Sequence, residues 1–248
     1  MTVQGANALV TGGSQGIGEA IVRHLRDGGA RVAVLEIESA EGADLAVTCD
    51  VADEKAVMHA VGEVVDTFGD IQYAFLNAGV GALAPLLAMP LDEWDRIQGV
   101  NLRGAFLCLR ECAAAMVERG TRGSIVATGS VSGTLADRAM AHYNSSKAGL
   151  ASLARVAAAE LGPHGIRVNV IAPGTTDTPL FRTTDAVPGY RDAVAARTPL
   201  GGIGTADDVA AAAIALAQLE WVTGQVLAVD GGVSLWSPID IADFLPDA

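Results

Sequence analysis

Short apolar runs alternate along this chain with longer stretches in which apolar residues recur every three or four positions. The runs at 6–10, 31–35, 45–48, 74–76, 124–127, 168–172 and 225–229 read as strands. The segments 17–26, 54–68, 91–118, 141–161 and 207–219 read as helices, several followed by stop signals such as Gly28-Gly29, Gly69 and Gly162-Pro163. Strict alternation of the two periods predicts an α/β domain, a parallel sheet with helices on both faces. No repeat or linker interrupts the pattern, so residues 1–248 read as one domain. The stretch 175–204 stands apart: it is rich in Thr, Pro, Gly and Arg and follows the carboxyl end of a strand, where ligands bind in such sheets, and it is expected to be a mobile substrate lid. The final residues, 233–248, form an extension with more apolar side chains (Leu235, Trp236, Ile239, Ile241, Phe244, Leu245) than a free tail should expose, and are expected to pack on this or a neighbouring subunit.

Composition narrows the partners. Half of the residues are apolar, 18% are charged and 29 are glycine, which fits a compact fold with many tight turns. A formal charge of −13 opposes nucleic acid and anionic lipid, leaving small molecules as the expected ligands. The first residues carry no basic n-region and no run approaches a membrane span of ~20 residues, so a cytoplasmic location is expected. Cys49, Cys108 and Cys112 have no metal-ligand spacing and read as core thiols; His24, His59 and His164 likewise offer no metal site.

Two local patterns carry chemistry. Thr11-Gly12-Gly13-Ser14-Gln15-Gly16-Ile17-Gly18 lies between the first strand and the first helix, where glycines permit a tight turn and a helix N-terminus faces an anion such as a pyrophosphate. It lacks the GK[ST] ending of nucleotide-hydrolysing phosphate loops. Glu36 closes the second strand, where a carboxylate would accept hydrogen bonds from an adenosine ribose and repel a 2′-phosphate. NAD is therefore expected over NADP. Farther along, Tyr143 and Lys147 are four apart in a helical stretch, one turn apart on one face. A phenol ionises near ~10, and lowering that to about 7.5 requires roughly 3.4 kcal/mol, a demand within reach of one lysine and a cationic cofactor ring. His142, beside the tyrosine, points about 100° away and reads as packing; Trp94 reads as core.

Taken in order, these residues resemble the short-chain dehydrogenase/reductase family over nearly the whole chain. The turn from Thr11 to Gly18 resembles its TGxxxGxG, Asp50-Val51 its adenine-contacting pair, Asn77-Ala78-Gly79 the end of its NNAG, and Pro173-Gly174 its PG turn near nicotinamide. Asn101, Ser130, Tyr143 and Lys147 resemble its catalytic four. The resemblance implies a Rossmann-type doubly wound sheet of about seven strands, a bound NAD(P), and hydride transfer to or from a small alcohol or carbonyl substrate. Within it Tyr143 would exchange the hydroxyl proton, Ser130 would hydrogen-bond the substrate oxygen, Lys147 would hold the nicotinamide ribose and lower the phenol pKa, and Asn101 would hold a water joining the lysine to solvent. Gly12, Ser14, Gln15, Gly16, Ile17, Gly18, Glu36, Asp50, Val51, Asn77, Ala78, Gly79, Tyr143, Lys147, Pro173, Gly174, Thr176 and Thr178 would line the cofactor. A homotetramer is implied as well.

The chain departs from the family at Leu76, in place of the first Asn of NNAG, and at Thr176, where an aliphatic residue is usual; Asp177 is expected to cap the turn that follows. The wording from Pro173 to Thr178, with Arg182 close behind, is similar to 2,3-dihydro-2,3-dihydroxybenzoate dehydrogenases, which oxidise a cyclic dihydrodiol acid. Arg182 or Arg191 would then pair with the carboxylate, although solvated lid arginines are the plainer reading. An NADPH-dependent 3-oxoacyl or ketone reductase, and a non-catalytic dinucleotide-binding regulator, are the alternatives.

Overall fold

The computed structural model describes residues 3–38 and 42–235. In chain order the elements are β1 (Asn7–Thr11), α1 (Gly16–Asp27), β2 (Arg31–Glu36), β3 (Leu45–Thr48), α2 (Glu54–Phe68), β4 (Tyr73–Leu76), α3 (Leu91–Gln98), α4 (Ala105–Arg119), β5 (Ser124–Thr128), α5 (Ala141–Leu161), β6 (Arg167–Pro173), β7 (Thr176–Asp177), α6 (Pro179–Asp185), α7 (Tyr190–Arg197), β8 (Gly204–Thr205), α8 (Ala206–Gln218) and β9 (Val226–Val229).

Seven strands form one parallel sheet in the order β3-β2-β1-β4-β5-β6-β9. The chain starts in the middle and winds outward in both directions, so the connections leaving β1 and β4 diverge and open a crevice at the carboxyl edge. The pleat sorts side chains between two cores. Leu9, Leu35, Leu76, Ile125 and Val168 face α2, α4 and α5; Val10, Val34, Phe75, Val126 and Ile171 face α1 and α8. Both faces of the inner strands are covered, which is why these runs are apolar at every position instead of alternating. Cys49, Cys108 and Cys112 are buried free thiols, as expected, and desolvation pushes Cys49 up to about 11 and Cys112 to about 12.

Helix limits follow local signals. Asp53 caps α2 by accepting from the N–H groups of Lys55 (2.8 Å) and Ala56 (3.3 Å), and Gly69, at φ 93°, ends it. Thr205 and Asp208 form a reciprocal capping box on α8.

The expected helix over 91–118 is not continuous. It breaks into α3 and α4 around a six-residue π-helical turn, Gly99–Gly104. A Cβ on Gly104 would lie 2.9 Å from a Val51 methyl and 3.1 Å from the Val51 carbonyl oxygen. The start of α4 is thus pressed against the loop after β3, and the extra residue of the π turn is accommodated between two glycines. The stretch 175–204 also holds more structure than expected: α6, α7 and the pairing of β7 with β8. Of the C-terminal extension, residues 233–235 form a short helical turn, and residues 236–248 lie outside the described residues.

Candidate active site

The turn after β1 brings backbone and helix end together. Gly12 and Gly16 adopt φ of 66° and 57°, conformations that side chains resist. A Cβ on Gly12 would lie 2.8 Å from Ala78 Cα, and one on Gly18 only 1.9 Å from the Gly12 carbonyl oxygen, so α1 can seat on the turn only without side chains there. Gln15, at the N-cap of α1, provides no side-chain cap. The first N–H groups of α1, from Gly16 through Gly18, therefore point out of the helix with the positive end of its dipole, suited to an anion. Glu36 stands across from them: its Oε2 accepts from Ser14 Oγ (2.8 Å) and Ser14 N–H (3.3 Å), its Oε1 from Ile37 N–H (2.9 Å). Asp50 turns its carboxylate onto the Ala52 N–H (2.9 Å), beside buried Val51.

Asn77 links three strands. Its Nδ2 donates to the Gly12 carbonyl (2.9 Å), its Oδ1 accepts from Thr128 Oγ1 (3.1 Å), and its N–H, like that of Ala78, donates to Thr11 Oγ1 (3.0 Å each). Leu76, the departure from the family pattern, is buried in the core facing α2 and α4. The sheet is braced by Asn77 instead. Thr11 and Thr128 complete this set and were not among the expected site residues. Their positions at the ends of β1 and β5, flanking β4, emerge only from the strand register.

The four residues of the expected acid/base group gather at the carboxyl ends of β4 and β5. Ser130 follows β5, accepting from Ser132 N–H (3.1 Å) and engaging the Tyr143 hydroxyl. Lys147 is buried, donates from Nζ to the Thr128 carbonyl (2.8 Å), and stands 5.5 Å from the Tyr143 ring centre. A Cβ on Gly79 would meet Lys147 Nζ at 3.6 Å and Asn101 Oδ1 at 3.5 Å, so glycine leaves the space above the ammonium open.

Burial acts on both members of the acid/base pair. Burial pushes the Tyr143 phenol above its usual 10, the Ser130 hydrogen bond draws it back, and the Asp137 carboxylate raises it further. Burial also lowers Lys147, from 10.5 to about 8. Burial thus opposes the phenolate and the Ser130 hydrogen bond favours it. Asn101 turns its side chain to Val80, accepting from the N–H (2.8 Å) and donating to the carbonyl (2.9 Å), with a further contact to Ser146 Oγ (3.3 Å). Its Oδ1, with one donor, has room for a second.

The segment after β6 lies against the turn. Gly174 follows Pro173, donating to the Val229 carbonyl (3.0 Å). Thr176 is buried with its hydroxyl on the Gly174 carbonyl (3.1 Å), and Thr178 places its methyl where a Cβ on Gly16 would meet it at 3.3 Å. Leu180 lies against Gly81 in the same way, at 3.2 Å. Asp177 caps nothing here; it lies 3.5 Å from Arg191, which is held on both oxygens of Asp185 (2.8 Å each) and covers the Phe181 ring at 5.3 Å. Arg191 is thus occupied within the lid, whereas Arg182 is exposed. His142 is buried, as expected, with Nδ1 accepting from Tyr143 N–H (2.8 Å). Trp94 is half-buried, not core. Among the described residues no group of three His, Cys, Asp or Glu side chains could hold a metal, and no helix is long and apolar enough to cross a membrane.

Residues 12–234 match the family model described as enoyl-(acyl carrier protein) reductase. L-rhamnose 1-dehydrogenase (NAD(P)(+)) of a Sphingomonas species is 38% identical over 93% of this chain and 97% of that protein. The 2,5-dichloro-2,5-cyclohexadiene-1,4-diol dehydrogenase of Sphingobium indicum is 37% identical over 93% and 97%. Aldohexose dehydrogenase from Thermoplasma acidophilum superposes with a TM-score of 0.90 at 29% identity, over 96% of this chain and 97% of that one. By the match to the family model and by these relatives, the chain belongs to the short-chain dehydrogenase/reductase family of NAD(P)-dependent oxidoreductases.

Proposed function

We propose that the protein oxidises a secondary alcohol on a small, neutral, cyclic polyol, with NAD as hydride acceptor and Tyr143 as proton acceptor. The observation that carries this reading is the meeting of Ser130, Tyr143 and buried Lys147 at the sheet edge, beside an uncapped helix end and Glu36. The residues fit a dinucleotide: α1 offers free N–H groups to the pyrophosphate, Glu36 offers a carboxylate to the ribose, and Lys147, with one N–H on Thr128, has others to give. A nicotinamide held there would supply the hydride acceptor. Ser130 would hold the substrate oxygen and Tyr143 would take the hydroxyl proton as the C–H bond breaks. The ammonium of Lys147, kept ionised by its new partners, would then favour phenolate over the burial that opposes it.

The names of two relatives and one structural neighbour, a sugar dehydrogenase, a cyclohexadiene-diol dehydrogenase and an aldohexose dehydrogenase, support a ring polyol as the substrate class. The engagement of Arg191 by Asp185 and Asp177 argues against its pairing with a substrate carboxylate, whereas Arg182 is exposed. Residues 175–204 would form the lid over it. A homotetramer is supported by the apolar groove between the π turn, α4 and α5, where Phe106 is exposed and Leu102 and Leu153 are half-buried.

The test follows reduced-nicotinamide absorbance for wild type and Tyr143→Phe with sugars, cyclic diols and ketones. Oxidation of a diol or sugar with NAD, reduced roughly a hundredfold to ten-thousandfold by the substitution, is the expected result. An equally active Phe variant would refute the mechanism. Tight NADH binding without turnover on any class would favour a regulator, and better turnover of 3-oxoacyl thioesters with NADPH would favour that reductase.

A further inference from the structure

The loop from Ser130 to Met140, between the serine and the tyrosine, is built with unusual care around Asp137. Ala139 is the one non-glycine with positive φ (66°) among the described residues, and its carbonyl accepts the Ala84 N–H (2.8 Å), tying this loop to the one after β4. The Asp137 carbonyl accepts the Met140 N–H (3.2 Å). Asn144, the residue after Tyr143, donates Nδ2 to the Leu135 carbonyl (2.8 Å) and to Asp137 Oδ2 (3.3 Å). A strained residue, a clamp to the neighbouring loop and an amide borrowed from α5 hold one half-exposed carboxylate in place.

Among the described residues that carboxylate has one side-chain partner, the long contact of Oδ2 to Asn144; Oδ1 has none, and no Lys, Arg or His pairs with it. Leu83 on the loop after β4, Leu135 on the loop of Asp137 itself and Leu180 on α6 are exposed and apolar. The placement also works against the chemistry, because Asp137 raises the Tyr143 phenol, the group that must give up its proton to act as base. A charge that opposes the acid/base residue and has one oxygen left over fits a group whose second partner arrives with the substrate.

We propose that Asp137 selects the substrate, accepting a hydrogen bond from a second hydroxyl of the ring whose first hydroxyl is oxidised at Tyr143. It thereby favours diols and polyols over simple alcohols and disfavours acids. This rests on the reading of Tyr143 as proton acceptor. It goes further in giving substrate choice to one residue of the loop after β5, not to the lid arginines.

The experiment compares kcat/KM for cyclohexane-1,2-diol, cyclohexane-1,4-diol and cyclohexanol with NAD, in wild type, Asp137→Ala and Asp137→Asn. Wild type should favour at least one diol. Asp137→Ala should collapse the diol-to-cyclohexanol ratio by roughly tenfold to a hundredfold, the strength of a hydrogen bond to a charged group, and Asp137→Asn should collapse it in part. A purely electrostatic effect on Tyr143 would shift the pH profiles of all three alcohols together and cancel in the ratio. A ratio unchanged in Asp137→Ala overturns the proposal. So does a gain that appears only with an amino alcohol such as 2-aminocyclohexanol, which would make the carboxylate an ammonium site. If wild type oxidises none of them, the reaction itself has been misread. Asp137 is then judged by titrating the diols into the NADH complexes of wild type and Asp137→Ala, where equal affinities refute it.

Discussion

Removing the charge of Glu36 tests the cofactor assignment at its source. Both of its oxygens are fixed, Oε2 by Ser14 and Oε1 by the Ile37 N–H, so the carboxylate cannot swing clear of a group placed on the adenosine ribose. Two unit charges ~4 Å apart repel by about 4 kcal/mol at an effective dielectric of 20 and by about 1 kcal/mol in bulk water. Glu36 is half-buried, so a 2′-phosphate should meet a penalty between these limits, roughly tenfold to several hundredfold in kcat/KM. Glu36→Gln retains the shape and an acceptor for Ser14 while removing the charge. It should raise kcat/KM for NADP toward that for NAD, and Glu36→Ala should also weaken NAD by the lost ribose hydrogen bonds, about 1.5–3 kcal/mol. Initial rates with both cofactors, at low and high salt, measure this. The wild-type discrimination should shrink with ionic strength and that of the Gln variant should not. A wild type that uses NADP as well as NAD, or a Gln variant with an unaltered ratio, would refute the argument.

Lys147 should make the free protein's stability depend on pH in a way opposite to a salt bridge. Its folded pKa, about 8, lies below the 10.5 of the unfolded chain, so between these values the unfolded state binds more protons and stability rises with pH; below 8 the penalty is present in full. That difference corresponds to about 3 kcal/mol. Denaturant unfolding of Lys147→Met from neutral pH to pH ~10 should lack this rise, while activity is lost; parallel curves for the two proteins would contradict the burial. Gly18→Ala forces a Cβ to within 1.9 Å of the Gly12 carbonyl oxygen, and α1 must lift from the turn. Overpacking of this kind costs about 1–3 kcal/mol, seen as a lower Tm, and NADH affinity should fall further than that of an Ala substitution at Gly62, which has open space around it.

The parts of the chain that were legible beforehand are those with local causes. Helices α2 and α5 and strand β3 begin and end at the expected residues, because Asp53, Gly69 and Gly162-Pro163 mark the helix boundaries by their own chemistry. The parts that were not legible depend on distant contacts. The π turn at Gly99–Gly104 answers to Val51 and to Val80, some fifty and twenty residues upstream. Thr11 and Thr128 matter only because the register sets them on either side of Asn77. Burial at the acid/base pair belongs with these. Spacing on a helix reveals that Lys147 is near Tyr143, but not that both groups are desolvated by the packing around them. Helix α6, opening on Pro179, and the eight residues of α7 are too short and too polar to stand out from loop composition.

The pairing of Thr176 and Asp177 with Gly204 and Thr205 joins the two ends of the intervening segment to each other at its root. Between these ends the segment is moored at a few points: Thr178 against Gly16, Leu180 against Gly81, and the Leu200 N–H on the Gly231 carbonyl (3.1 Å). The length of a closed loop adds only logarithmically to the cost of closure, about 0.6 kcal/mol for each doubling. Insertions and deletions are therefore cheapest between the moorings, around α7, which buries no residue, and dearest at the moorings themselves.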